Sequence, residues 1–178
     1  MTRLAEFIRT VHDFPISGIE FRDITSLIED PTGFHMAIVQ LISEVGRFKA
    51  DVLVGIESRG FVFGAPVAWD NSIPFVMARK PGKLPNDTYK KDFDLEYGST
   101  SLEIQKNTDI SGKVVIVDDL IATGGTAIAC AELIHEHWHV PKENILILAL
   151  IDLPDLGGSA KIQELGYSVK TLMEFEGG

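Results

Sequence analysis

Short, nearly unbroken apolar runs alternate along this chain with stretches whose apolar residues recur every three or four positions. DVLVGI (51–56), PFVMA (74–78), KVVIV (113–117) and NILILALI (144–151) are such runs, rich in β-branched residues, the pattern of strands buried on both faces. GFVFGAPVAWD (60–70) and GTAIACAELIHEH (125–137) lie between them and read as helices. Another helix is predicted from near Thr32, behind the Asp30-Pro31 punctuation, with Phe34, Ile38, Leu41, Ile42 and Val45 on one face. In MTRLAEFIRTV, the spacing of Leu4, Phe7, Ile8 and Val11 predicts an amphipathic helix at the start. TSLEI (100–104) alternates as a strand. Alternating strands and helices predict an α/β fold, a mostly parallel twisted sheet flanked by helices, Rossmann-like or otherwise doubly wound.

Two stretches break the periodicity. HDFPISGIEFRD (12–23) contains Pro15 and Gly18 and reads as a loop. KPGKLPNDTYKKDFDLEYG (80–98) is long and polar with no helical period, and loops of that length in compact domains are lids, binding loops or disordered segments. No repeat, low-complexity tract or linker divides the 178 residues, which fit a single domain.

Composition narrows the class. Apolar residues at 45% and charged residues at 24% are globular values that argue against disorder. The net charge of −10 has the wrong sign for a protein that coats nucleic acid, so an anionic ligand must meet a local basic patch. ARKPGK (78–83) is one, with Lys90 and Lys91 beyond it, read here as a solvated loop face. Cys130 is the only cysteine, which excludes an intrachain disulfide and fits a reducing compartment; its place on the apolar side of a helix predicts burial. The start lacks a signal peptide's apolar stretch, and ILILALI (145–151) is too short to span a bilayer. A cytoplasmic protein is expected.

VVIVDDLIATGGTA (114–127) carries the candidate chemistry. In an open α/β sheet, ligands sit beyond the carboxyl ends of the strands, where this strand runs into a glycine-containing turn and a helix. Backbone N–H groups at the helix start, with the hydroxyls of Thr123 and Thr126, can surround a phosphate. Neither G-x-x-x-x-G-K-[ST] nor G-x-G-x-x-G is present, and the two glycines alone equally fit an ordinary strand-to-helix turn. Asp118 and Asp119 change that balance. Carboxylates accept hydrogen bonds only, and so suit vicinal hydroxyls or a cation held through water. Acids for a sugar ring followed by a loop for its phosphate describe a sugar phosphate better than a nucleoside triphosphate.

VVIVDDLIATGGT closely resembles the phosphoribosyl pyrophosphate motif of type I phosphoribosyltransferases. FRDIT (21–25), ESRGF (57–61), RKPGKLP (79–85) and DLEYGSTSLEI (94–104) resemble the adenine phosphoribosyltransferase family, in order and across most of the chain. The resemblance implies that family's fold, with a small N-terminal hood over roughly residues 1–32 and a flexible loop over roughly 80–98. It implies the reaction of adenine with phosphoribosyl pyrophosphate to give AMP and pyrophosphate, with Mg2+ (magnesium) held mainly through substrate and water, in a homodimer. Asp118 and Asp119 would hold the ribose hydroxyls, and Ala122, Thr123, Gly124, Gly125 and Thr126 the 5′-phosphate. Ser58, Arg59, Arg79, Lys80 and Lys83 would meet pyrophosphate. Phe21 and Leu120 would sandwich the purine with Arg22 at its edge, and Glu96 would be the catalytic acid. Ser17 stands where the family often has Pro, and Glu20 where an apolar residue is common; both bear on base contacts.

HEHWH (135–139) offers three imidazoles, but lacks the HExxH order of a zinc protease and falls at the far end of a helix, so a solvated helix end is expected. GFVFG (60–64) is expected to serve close backbone packing. Two other functions stay open: a phosphoribosyl-binding regulator, disfavoured by the lack of a basic face, and a transferase for an oxopurine, disfavoured by FRDIT and DLEYG.

Overall fold

Residues 3–14, 16–95 and 98–176 are described by the structure, a computed structural model. Five parallel strands form the central sheet: β3 (Val52–Ile56), β4 (Phe75–Ala78), β7 (Val114–Ile121), β8 (Ile145–Asp152) and β9 (Ser168–Glu174), in the order β4-β3-β7-β8-β9. The five residues of β3 and the eight of β8 are all buried, as strands covered on both faces must be. The pleat divides their side chains between two layers. Val54, Ile56, Val114, Ile116, Ile145 and Ile147 pack on one face with Cys130, Leu133 and Ile134 of α4 (Gly125–Trp138). Leu53, Val115, Val117, Leu146 and Leu148 pack on the other with Leu41 and Val45 of α2 (Pro31–Phe48) and Phe63 and Val67 of α3 (Arg59–Asn71). Each such side chain contributes about 1.5–3 kcal/mol when fully buried.

The helices start where local chemistry directs. Asp30 caps α2, its Oδ1 accepting from the N–H groups of Thr32 and Gly33, with Pro31 in the first turn. In α3, a Cβ on Gly60 would lie 2.5 Å from the Val117 carbonyl oxygen, and one on Gly64 would lie 2.7 Å from the Phe75 ring. The glycine pair of GFVFG thus brings helix and sheet together, as expected.

Three expectations change. The predicted N-terminal helix is a single 3-10 turn, Leu4–Phe7, followed by β1 (Arg9–His12), which pairs antiparallel with β2 (Glu20–Asp23). Leu4 and Ile8 are still buried; Thr10 and Val11 favour an extended chain, and pairing with Arg22 and Phe21 overrides a weak helical period. The expected irregular segment after residue 80 includes β5 (Thr88–Leu95), which forms an antiparallel ribbon with β6 (Gly98–Gln105); the expected strand at 100–104 lies inside β6. Finally, α1 (Thr25–Glu29), α5 (Gly158–Glu164) and β9 have no counterpart in the periodicity reading.

Candidate active site

The sheet order reverses between its first two central strands. From β3 the chain moves outward to β4, whereas from β7 it moves the opposite way to β8 and β9. A crevice therefore opens between the C-terminal ends of β3 and β7, where open α/β sheets bind ligands. A cleft of about 500 Å³ occupies this point, lined by Glu57, Ser58 and Arg59 after β3, Asp118, Asp119 and Leu120 of β7, Thr126 of α4, and Lys80. The β5–β6 ribbon closes one side with Phe93, Thr100, Ser101 and Leu102.

Adjacent positions on a strand point the two carboxylates to opposite faces. The Asp118 carboxyl lies on the α4 side and accepts from the Asp119 N–H at 2.9 Å. Burial, reinforced by the charge of Asp119, pushes its pKa well above the usual carboxylate range. Asp119 is 3% exposed, with Oδ2 3.0 Å from Arg59 Nε. That approach is an ion pair without hydrogen-bond alignment, so Oδ2 lacks a hydrogen-bond partner among the described residues. Beyond Asp119 the pleat slips. The ladder to β8 skips Asp119 and Leu150, and Leu120 packs with the α2–α3 layer while Ile121 packs with the α4 layer. The irregularity falls where the strand must present both acids and Leu120 to the cleft.

The turn from β7 to α4 leaves its donors free. Gly124 takes φ +78°, a left-handed conformation glycine adopts without strain, and no side chain caps the helix. The first N–H groups of α4 consequently lack side-chain acceptors, which suits them to an anion. The groups around the cleft are mixed: two carboxyl groups on the strand, uncapped amides at the helix start, and cationic Arg59 and Lys80 opposite.

A family model described as the phosphoribosyl transferase domain matches residues 33–139. An adenine phosphoribosyltransferase of Nitrosospira multiformis is 48% identical over 171 residues, covering 96% of each chain. Among solved structures, the adenine phosphoribosyltransferase of Thermoanaerobacter pseudethanolicus superposes with a TM-score of 0.87 at 41% identity, over 97% of this chain and 98% of that one. That of Giardia lamblia, complexed with 9-deazaadenine, gives 0.89 at 33% identity over 98% and 99%. The chain belongs to the adenine phosphoribosyltransferase family.

Seen as a family member, the chain gathers only part of its predicted site residues into the cleft. Ser58, Arg59, Lys80, Asp118, Asp119, Leu120 and Thr126 line it; Ala122, Thr123, Gly124 and Gly125 form the adjoining turn. Arg79 is held outside. Its Nε and Nη2 donate to Glu57 at 3.1 Å each, and its Nη1 to the Lys83 carbonyl at 3.0 Å. This guanidinium holds the Glu57 carboxyl below its ordinary range. Phe21 and Arg22 sit on the β1–β2 ribbon. Phe21 packs edge-on to Phe14 at 5.1 Å; Arg22 donates to Thr10, Glu20 and the Glu176 carbonyl and stacks on Phe175. Glu20 is engaged by Arg22 at 2.7 Å and lies 3.4 Å from His12. Where the family often has Pro, Ser17 donates to Asp13 Oδ1, which also accepts from the Gly18 N–H at 2.7 Å, so a side chain organises this turn. Glu96 lies outside the described residues.

Sequence reasoning missed Glu57, Phe93 and the hydroxyls of Thr100 and Ser101 as cleft residues. For Glu57, Thr100 and Ser101 the signal, placement in ESRGF and DLEYGSTSLEI, was present without a reason to single them out; Phe93 falls outside both motifs. Lys90 is solvent-facing as expected, but Lys91 bridges Glu132 and Glu136 of α4. In HEHWH, His135 contacts the Val140 carbonyl at 2.8 Å, and His137 stacks on Tyr89 with ring centroids 4.0 Å apart. Cys130 is fully buried, and burial pushes its thiol up. Among the described residues no helix is long and apolar enough to cross a membrane.

Proposed function

We propose that this chain transfers the 5-phosphoribosyl group from phosphoribosyl pyrophosphate to adenine, giving AMP and pyrophosphate. The carrying observation is the placement of Asp118, Asp119 and the uncapped start of α4 in one cleft with Arg59 and Lys80. The bond from the anomeric carbon to a pyrophosphate oxygen breaks, its electron pair leaving with pyrophosphate, while a ring nitrogen of adenine bonds to that carbon and releases its proton to water. Cationic side chains favour this transition state by meeting a departing polyanion. Asp118 and Asp119 hold the ribose hydroxyls, and residues 122–126 hold the 5′-phosphate. Ser58, Arg59 and Lys80 take pyrophosphate; Arg79 and Lys83 join them once the Glu57 pair opens. Leu120 and Phe21 enclose the base with Arg22 at its edge, under a hood formed by roughly residues 1–32. Glu96, on the 80–98 segment, hydrogen-bonds the base nitrogen that becomes more basic during attack, a contribution typically worth ~10²–10⁴-fold. The domain is single, 1–178.

Magnesium belongs to the same proposal. Among the described residues no group of three or more His, Cys, Asp or Glu is arranged to hold a metal. Asp118 and Asp119 suit a cation bound mainly by substrate oxygens and water. When bound, the ion supplies charge neutralisation of the pyrophosphate. A homodimer is supported by an exposed apolar face on α3 and the edge strand β4, where Val62, Trp69 and Met77 are 39%, 82% and 44% exposed. A cytoplasmic setting is supported by the lone, buried thiol.

The deciding experiment incubates the protein with phosphoribosyl pyrophosphate, magnesium and each purine, and follows nucleotide formation. AMP from adenine is expected. Product only from oxopurines would move the assignment to another base, and no product from any base would point to a ligand-sensing protein.

A further inference from the structure

We propose that Gly158 is a positioning residue for the phosphate-binding turn, its missing side chain setting where Ala122–Gly124 lie. The inference rests on the reading that residues 122–126 take the sugar's 5′-phosphate. Gly158 opens α5, remote in sequence from β7, yet it is buried against the turn and its N–H donates to the Ala122 carbonyl at 3.1 Å. A Cβ on Gly158 would lie 2.7 Å from the Gly124 nitrogen and closer still to the Ala122 carbonyl oxygen. Both are backbone atoms of the turn, so no rotamer change relieves the overlap. The relation is reciprocal: a Cβ on Gly124 would lie 3.0 Å from the Gly158 carbonyl oxygen and 3.2 Å from its Cα. One residue earlier the contact continues, the Leu153 N–H donating to the Ile121 carbonyl at 3.0 Å. The segment after β8 is thus a floor laid backbone to backbone beneath the phosphate turn.

A methyl at Gly158 displaces either turn or floor by about 0.7 Å or more, the gap between the 2.7 Å approach to the Gly124 nitrogen and the 3.4 Å at which ordinary contact begins. Amide-to-phosphate hydrogen bonds lose strength over that range of distance and angle. Gly157 supplies the control. It has a left-handed φ, +72°, and a Cβ there meets nothing within 4 Å. Gly157→Ala strains the backbone without touching the turn.

The test measures binding of AMP, ribose 5-phosphate and pyrophosphate to full-length wild type, Gly158→Ala and Gly157→Ala, alongside thermal unfolding. Gly158→Ala is expected to weaken AMP and ribose 5-phosphate by about tenfold or more, the scale of a misaligned charge-assisted hydrogen bond, and to leave pyrophosphate within about twofold. Gly157→Ala should lower Tm and bind all three ligands as wild type does. Undiminished AMP binding by Gly158→Ala, or equal loss of pyrophosphate, overturns the role of Gly158 alone. Failure of wild type to bind AMP or ribose 5-phosphate overturns that role together with the reading beneath it. Should the variant not fold, hydrogen exchange on wild type decides: AMP should slow the Gly158 amide together with those of 123–126, and protection confined to the turn overturns the coupling.

Discussion

Replacing Lys91 with Met removes one cation from the seam between the β5–β6 ribbon and α4, while keeping an aliphatic stem of similar reach. Tyr89, Lys91 and Phe93 alternate onto one face of β5. Tyr89 stacks on His137 with the rings 7° from parallel, Lys91 bridges Glu132 and Glu136 one turn apart, and Phe93 reaches the cleft. The Lys91 ammonium is held above its usual range, first by its hydrogen bond to Glu136. Glu136 is 46% exposed and Glu132 34%, so each pair is screened and worth about 0.2–1 kcal/mol. Without the cation the two glutamates repel at i,i+4 spacing, adding about 0.2–0.5 kcal/mol. The docked ribbon should lose about 1–2 kcal/mol, roughly a 5–30-fold shift in its local equilibrium. A two-stranded ribbon is marginal alone, so its own ladder amides report undocking. Hydrogen exchange across β5 and β6 should speed by about tenfold in the variant, with the central sheet unchanged. High salt should narrow the difference, and a background of Glu132→Gln with Glu136→Gln should abolish it. Equal exchange in wild type and variant would show that aromatic packing alone docks the ribbon.

Gly60→Ala should displace the first turn of α3 from the Val117 carbonyl, carrying Ser58 and Arg59 with it, and reduce kcat/KM by roughly 10²-fold; wild-type kinetics would refute the assigned packing. Asp118→Asn should change the pH dependence of stability. Because the folded-state pKa is raised, the folded chain retains a proton that the unfolded chain releases, so stability falls as pH rises from the ordinary value of 3.8 toward the folded value. The variant should therefore gain Tm on wild type as pH rises through that window, and parallel Tm curves would contradict the shift. Glu96→Gln should lower turnover far more than it weakens phosphoribosyl pyrophosphate binding; unchanged turnover removes Glu96 from the chemistry. Phe63→Ala, at a fully buried position, should cost about 3–5 kcal/mol in denaturant unfolding, and a cost near zero would mean that the α3 layer is not packed as described.

The candidate site was legible where one short segment carried the whole of a chemical idea. Asp118, Asp119 and the ATGGT turn are contiguous, and strand geometry alone says that they end a buried strand facing a helix start. Arg59 and Lys80 were legible as charge beside another strand end. Arg79 was legible as a cation, but its engagement with Glu57 was not, since that pair joins two loops. Lys91 looked like part of a solvated run because nothing in KKDFD indicates α4 as its neighbour.

Runs of Val, Ile and Leu were sufficient to determine buried parallel strands and the helices between them, since burial on two faces writes itself into every consecutive residue. Local pattern could not determine which strands would be neighbours. The crevice exists because β3 and β7 lie side by side while their chains depart in opposite directions, a relation between segments far apart in sequence. The same holds for Leu4–Val11, which has a helical period yet folds as a 3-10 turn running into a paired strand, and for Gly158, whose need to be glycine arises wholly from a turn it meets in space. Contacts of long sequence separation leave no period in the chain, and packing alone selects among the arrangements that local propensity permits.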